Sequence, residues 1–278
     1  MLVFPVLHFV YPDFVASIIP PWIPWHYFWT YFTAVNIFAA GLSIVLMKHA
    51  RVAAALLGTE IFLFWALIHL FLLFHGPRDA WATRSDFGDM PSRVINSFKD
   101  FGLFGAVFVF AGTQSEAWRS SRKDPLHTLG RMVLCISIAA FGVLHFVYPA
   151  FAPGIPPMNR NVAFLVPGHL FWVYLTGVYL VASAVIIAAN KWTRDAAALL
   201  GAVLLVFELT TWVPVFMNTP RAMTGDWLKD LGIIGGLLIL ADSLPVRSAF
   251  VKEPLRYAEK EHADCVRPEA GKKVGSQL

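Results

Sequence analysis

The chain has 278 residues, of which 57% are hydrophobic and 14% are charged. A soluble domain of this length carries about a quarter charged residues, so the composition excludes an ordinary water-soluble protein. The formal net charge is +4, and most of the excess basic residues lie after Leu244 and in short loops. This distribution is typical of membrane orientation, so we expect the lipid bilayer as a partner and no nucleic acid.

Charge-poor apolar stretches predict an all-α, polytopic transmembrane helix bundle, since a spanning helix needs about 20 such residues. The first full span is predicted at 25–47, and a basic turn containing Lys48 and Arg51 leads to the second at 52–74. A polar stretch at 75–96 precedes the short third span. The third and later spans are predicted at 98–112, 129–147, 168–189, 196–216 and 228–244.

The sequence contains an internal duplication. The six residues from Leu7 to Pro12 return unchanged from Leu144 to Pro149, and a constant register from Pro24 and Pro167 matches the following hairpins. The duplication predicts two parallel four-helix repeats, with about seven full spans plus a truncated first helix. In the first copy only residues 1–7 precede the His-Phe-Val-Tyr-Pro part of this motif, so either the native start lies upstream or this copy has lost most of its first helix.

The predicted organisation has four parts. They are a first four-helix unit at 1–113, a linker at 114–127, a second unit at 128–244 and a basic tail at 245–278. An eight-span arrangement places most of the 22 Lys and Arg residues on the side of the tail. We therefore expect a multi-pass cell-membrane protein with a cytoplasmic linker, C-terminus and tail, the tail being largely disordered.

This orientation places matched polar residues of both copies at outward helix ends or in outward loops. A histidine there could ligate a metal or haem, donate to a quinone carbonyl or simply hydrogen bond to a helix-end carbonyl. The two Asp could cap their helices and pair with the adjacent Lys99 or Lys229, or with an Arg. The candidate ligand-binding residues are His8, His26, Arg78 and Asp100 in the first copy, and His145, Tyr148, His169, Arg221 and Asp230 in the second. The second set is favoured because the second unit, unlike the first, has a complete first helix.

Two acidic residues, Glu60 and Glu208, fall deep within predicted spans. A carboxylate is costly in a membrane, which makes each a functional candidate. In the register of the repeat, Glu60 matches Val203 and Glu208 matches Trp65, so neither belongs to the duplicated pattern. Glu60 could form a proton relay with His69, or it could be a protonated, hydrogen-bonded structural residue.

Other chemistries have no support in the sequence. The two cysteines form no CxxC pair, which argues against disulfide exchange and covalent haem. No metal site, phosphate loop or nucleophile motif can be placed, and no catalytic residue is assigned.

The chain resembles the DoxX-like family of four-helix membrane proteins, present as two tandem units. The features that carry the resemblance are a first helix ending in His-Phe before Pro, a Pro-rich outer loop, an aromatic second helix, a third rich in Ala, and a fourth opening with Lys-Asp. Members look like a mixed group, some of them similar to subunits of thiosulfate:quinone oxidoreductase. The chain departs from the pattern in being duplicated and in lacking most of its first helix.

The resemblance implies a subunit or accessory protein of a quinone-linked membrane redox system, with other subunits as partners and quinone favoured over haem as cofactor. If the protein is an enzyme, it is then part of a membrane oxidoreductase. A second reading is a binding or transport protein for a small lipophilic or anionic solute. A third is a membrane scaffold whose polar residues hold helices together.

Overall fold

The computed structural model describes residues 2–75, 90–150, 168–218 and 226–245. Within these ranges the chain forms α-helices and one π-helical turn, and it contains no strand. The helices are α1 Phe4–Val10, α2 Pro12–Ile18, α3 His26–Val45, α4 Ala50–Phe64, α5 Leu70–His75, α6 Met90–Thr113, α7 Glu116–Ser121, α8 Pro125–Val147, α9 His169–Ala188, α10 Thr193–Asn218 and α11 Asp226–Asp242. The π-helical turn Trp65–His69 joins α4 to α5, so these elements form one continuous rod.

Six helices in the described residues are long and apolar enough to cross a bilayer, so the chain is a multi-pass integral membrane protein. They are His26–Val45, Ala50–His75, Met90–Thr113, Pro125–Val147, Leu170–Ala188 and Thr193–Val213. Their bounds agree with the predicted spans to within a few residues, except that α6 begins at Met90 and not near 98. Asn96 and Ser97 in this extra stretch are buried and hydrogen bonded inside the protein, so hydropathy alone did not reveal that it is helical.

Helix α6 is the centre of the bundle and packs against α4, α8 and α11. Its residues 102–109 are all buried. Small residues let the neighbouring backbones approach closely, as membrane helices require. A Cβ atom added to Gly130 of α8 would lie 2.5 Å from the carbonyl oxygen of Gly105, and one added to Gly236 of α11 would overlap Ala106.

Left-handed backbone conformations recur at positions that the sequence alignment matches. Left-handed conformations occur at Met47 and His49 in the α3–α4 turn and again at Asn190 and Trp192 in the α9–α10 turn. The residues that precede α3 and α9, Trp25 and Gly168, are left-handed as well. Met47 corresponds to Asn190, His49 to Trp192 and Trp25 to Gly168, and the separation in sequence is the same for all three pairs.

Asp124 ties the start of α8 to the α3–α4 turn. Its Oδ1 atom accepts hydrogen bonds from the backbone N–H groups of Leu126 at 2.9 Å and His127 at 3.2 Å, which caps the helix. Its Oδ2 atom accepts from Arg51 at 2.9 Å. Membrane topology alone was enough to explain the basic residues of this turn. The contact between Arg51 and Asp124 gives the turn a packing role as well.

The chain divides into two units, Met1–Leu244 and Pro245–Leu278. The helices named above, which are those of the described residues, lie in the first unit. The predicted disorder of the tail concerns residues that, apart from Pro245, fall outside the described part of the chain.

Candidate functional site

The structure describes some of the candidate residues that were predicted at outward helix ends or in outward loops. His145 and Tyr148 lie at the end of α8, and His8 and Tyr11 hold the matching places at the end of α1. His26 is the first residue of α3 and is partly buried. His169 opens α9, while Arg78 and Arg221 lie outside the described residues.

The two matched histidines hydrogen bond to their own helices. The Nδ1 atoms of His8 and His145 lie 3.1 and 2.7 Å from the carbonyl oxygens of Phe4 and Phe141, four residues earlier. Because a carbonyl oxygen only accepts, each Nδ1 carries the hydrogen and each Nε2 of the neutral ring is an acceptor. His145 is 7% exposed, and its Nε2 has no hydrogen-bond partner.

The two Lys-Asp motifs pair with each other across the bundle. Lys99 Nζ lies 2.6 Å from Asp230 Oδ2, and Lys229 Nζ lies 3.0 Å from Asp100 Oδ2. Pairing with the adjacent Lys of the same motif was one of the predicted alternatives, but it is not the arrangement observed. Consecutive residues on a helix point in different directions, whereas α6 and α11 face one another.

His69 adds a fifth titratable group, because its Nε2 contacts Asp100 Oδ2. The ion-pair cluster, defined as His69, Lys99, Asp100, Lys229 and Asp230, joins the α4–α5 rod to α6 and α11. His69 and Asp100 are each 6% exposed. Two Lys and two Asp balance in charge, which is the condition for keeping ions inside a membrane protein.

The depth of this cluster differs from the prediction. Asp100 was expected at an outward helix end, but α6 begins at Met90, so Asp100 lies ten residues inside it. At a rise of about 1.5 Å per residue this is roughly 15 Å from the start of the helix. In α11, described from Asp226, Asp230 lies within the first turns. The carboxyl of Asp100 is therefore buried within the bundle and is not a surface cap.

A large cavity lies beside the cluster, between α3 and α4, and is covered at one end by α1 and α2. We call it the α3–α4 cavity. Its volume is about 1050 Å³, slightly above the usual range for small-molecule sites. Most of its wall is apolar, and the side chains with polar atoms that line it are His8, Trp22, Trp29, Thr33, Asn36, Ser43, His49, Thr59, Glu60 and His69.

Glu60 is the acidic residue of this wall. Its Oε1 atom is buried and has no hydrogen-bond partner, while Asn36 hydrogen bonds to the carboxyl group. Nine residues of a regular α-helix would turn through about 900° and place His69 opposite Glu60. The wider π-helical turn changes this phase, and both residues line the cavity. Glu208 lies on α10, away from the lining of this cavity.

The arrangement can bind a molecule that is mostly apolar and has a polar end. Among the described residues no group of three or more His, Cys, Asp or Glu side chains could hold a metal ion. The sequence had pointed to Glu60, to His8 and to a link between Glu60 and His69. It did not indicate that these residues share one cavity, because that depends on how α1, α3 and α4 pack. No protein-family model, characterised protein or solved structure matches the chain.

Proposed function

We propose that the chain is a pair of tandem DoxX-like four-helix units. The recurring left-handed residues and the crossed Lys-Asp pairs support a duplicated frame. Helix α11 has 17 residues, the lower limit for a spanning helix, and it would be the seventh full span after the short α1. The surplus of Lys and Arg on the side of the tail supports a cytoplasmic C-terminus.

The function that the geometry supports best is the binding of a small lipophilic molecule in the α3–α4 cavity. The observation that carries this proposal is Glu60 Oε1, a buried acceptor without a partner in the wall of an apolar cavity. Leaving a buried polar atom unpaired is costly, and a ligand that hydrogen bonds to it removes that cost.

Access from the bilayer supports a lipophilic ligand. Several apolar lining residues of α4 are exposed at the protein surface, among them Val52 at 58%, Leu56 at 66% and Leu63 at 46%. On a membrane-spanning helix such a surface faces lipid, so a hydrophobic molecule can enter sideways. A carboxyl group inside the cavity disfavours the anionic solutes of the second reading.

The internal repeat offers a comparison within one molecule. In the matched register, Glu60 corresponds to Val203, Asn36 to Tyr179 and His69 to Trp212. The second copy thus replaces the polar groups of the cavity wall with larger or apolar side chains. This contrast supports a specialised site in the first copy, in place of the second-copy cluster that the sequence favoured.

A quinone belongs to the class of molecules that fits this cavity, since it combines a polar ring with an apolar tail. In this form we retain the proposal of an accessory protein or subunit of a quinone-linked redox system, which rests on the family resemblance. A scaffold without a ligand is the competing reading.

The test is mass spectrometry of small molecules that co-purify with the protein and with Ala40→Trp. Ala40 lines the cavity, and the indole would occupy part of its volume. We expect a lipophilic molecule in the unmodified protein and a several-fold lower amount in the variant.

The matched control is Val35→Trp on the same helix. Val35 is 58% exposed and does not line the cavity, so bound molecules should remain. If no molecule co-purifies, or if both variants retain it equally, the scaffold reading replaces this proposal.

A further inference from the structure

The polar groups of the α3–α4 cavity share a property that is visible only when their hydrogens are assigned. His8 lines the cavity, and its Nδ1–H donates to the Phe4 carbonyl oxygen at 3.1 Å. In the neutral ring, Nε2 then has a lone pair and no hydrogen. His8 can therefore accept a hydrogen bond from a ligand but cannot donate one.

Two threonines of the wall likewise donate their only hydrogen to a backbone carbonyl of their own helix. The Thr33 hydroxyl donates to the Trp29 carbonyl oxygen at 2.8 Å, and the Thr59 hydroxyl donates to that of Ala55 at 2.9 Å. A hydroxyl has one hydrogen and two lone pairs, so each oxygen can still accept. Both side chains line the cavity as acceptors.

Glu60 and His69 continue the pattern. The Glu60 carboxyl is an acceptor when ionised and retains a carbonyl oxygen as an acceptor when protonated. The Nε2 atom of His69 is engaged by Asp100 of the ion-pair cluster. With the carboxyl ionised, Glu60 contributes only acceptors, and the Nε2 atom of His69 is already committed to Asp100.

Donors are fewer and lie mostly at the rim, where the exposed His49 contributes a ring N–H. The indole N–H groups belong to Trp22 and Trp29, whose residues are 59% and 38% exposed. The Asn36 amide can both donate and accept, but it is already bonded to the Glu60 carboxyl. The interior of the cavity thus has a surplus of acceptors.

We infer that the α3–α4 cavity selects apolar molecules whose polar head donates hydrogen bonds, such as phenols, hydroquinones and long-chain alcohols. This inference rests on the proposed binding function and narrows its ligand class. An oxidised quinone has only carbonyl acceptors, so of a quinone couple the reduced form is the better ligand. Head groups without a donor leave the acceptors of the wall unpaired.

The experiment compares para-octylphenol with its methyl ether, which has the same apolar body but no donor. Dissociation constants are measured by titration calorimetry on the full chain in one detergent, so that partitioning affects both probes similarly. We expect the phenol to bind roughly tenfold more tightly, the effect of one hydrogen bond to a charged or strongly polar acceptor.

Variants then locate the preference. Glu60→Leu removes the central acceptor and should reduce the ratio of the two constants to roughly threefold or less. Glu208→Leu removes an acid of another helix, outside this cavity, and should leave the ratio unchanged. Glu60→Met serves the same purpose if the Leu variant does not fold.

Equal binding of the two probes to the unmodified protein overturns the inference without any variant. So does an unchanged ratio in a folded Glu60 variant. If both probes bind equally and Ala40→Trp displaces both, the donor preference fails while the binding function stands. If neither probe binds and no molecule co-purifies, the binding function fails as well.

Discussion

Arg51, a basic residue of the turn between α3 and α4, has a packing role in addition to its role in membrane topology. Arg51 was explained by membrane topology, yet it donates to Asp124 at 2.9 Å. Asp124 lies just before α8, and its side chain is 1% exposed. Burial alone would raise the pKa of this carboxyl, but hydrogen bonds from Arg51, Ser115 and the His127 backbone outweigh it and hold the pKa below the ordinary 3.8.

This shift predicts acid sensitivity. Because the pKa of Asp124 is lower in the folded state, its stabilisation is complete above the unfolded value of about 3.8 and is lost as pH falls through the folded value. We expect Asp124→Asn to lower the thermal midpoint at neutral pH and to lessen its decline in acid. The measurement is thermal unfolding between about pH 7 and pH 3. A variant with an unchanged pH profile would show that Asp124 does not contribute.

The sequence indicated some residues and missed others for a physical reason. The repeated His-Phe-Val-Tyr-Pro motif located His8 and His145 at helix ends, because hydropathy places the boundary there. The bond from Arg51 to Asp124 spans 73 residues, and no local pattern predicts such a contact. Glu60 was noticed because an acid is rare in a membrane span.

At the scale of helices, hydropathy predicted the spans but not the irregularities that shape the cavity. The π-helical turn Trp65–His69 has the same apolar composition as its neighbours, so nothing in its pattern distinguishes it. The start of α6 was missed because its polar residues Asn96 and Ser97 are buried and hydrogen bonded inside the protein. Both features affect where His69 and Asp100 lie.

Close packing of α6 and α11 gives a prediction from two adjacent glycines. A Cβ atom on Gly236 would overlap Ala106, whereas one on Gly235 meets nothing within 4 Å. We expect Gly236→Ala to destabilise the protein by about 1–3 kcal/mol through overpacking. Gly235→Ala should be neutral or slightly stabilising, since alanine favours the helix. Thermal unfolding of both variants in one detergent is the measurement, and equal midpoints would contradict the packing described.

At the scale of the whole molecule, the two Lys-Asp motifs connect α6 to α11. Each motif was recognised as a repeat, but its partner lies in the other copy and not beside it. The duplication marked the two motifs as equivalent in sequence, whereas the crossed pairing depends on how α6 and α11 meet.

A double-mutant cycle tests this link. Lys99→Met and Asp230→Leu each remove one member of a part-buried ion pair, which costs up to about 3–5 kcal/mol. The double variant removes both charges, so it should be destabilised by less than the sum of the single effects. The exposed pair Glu116–Arg119 is the control, and Glu116→Gln should cost about 0–1 kcal/mol. Additive effects in the cycle would refute the coupling.

The crossed pairs also set an order for biogenesis. Lys99 and Asp230 are 131 residues apart, and Asp100 and Lys229 are 129 apart. At about 5–20 residues per second, the ribosome needs roughly 6 to 26 s to travel from one motif to the other. During this interval Asp100 already has His69 of the α4–α5 rod as a neighbour, and Lys99 and Asp100 together carry no net charge. The nascent chain thus brings two opposite charges into the membrane together, and their partners across the bundle follow only when α11 arrives.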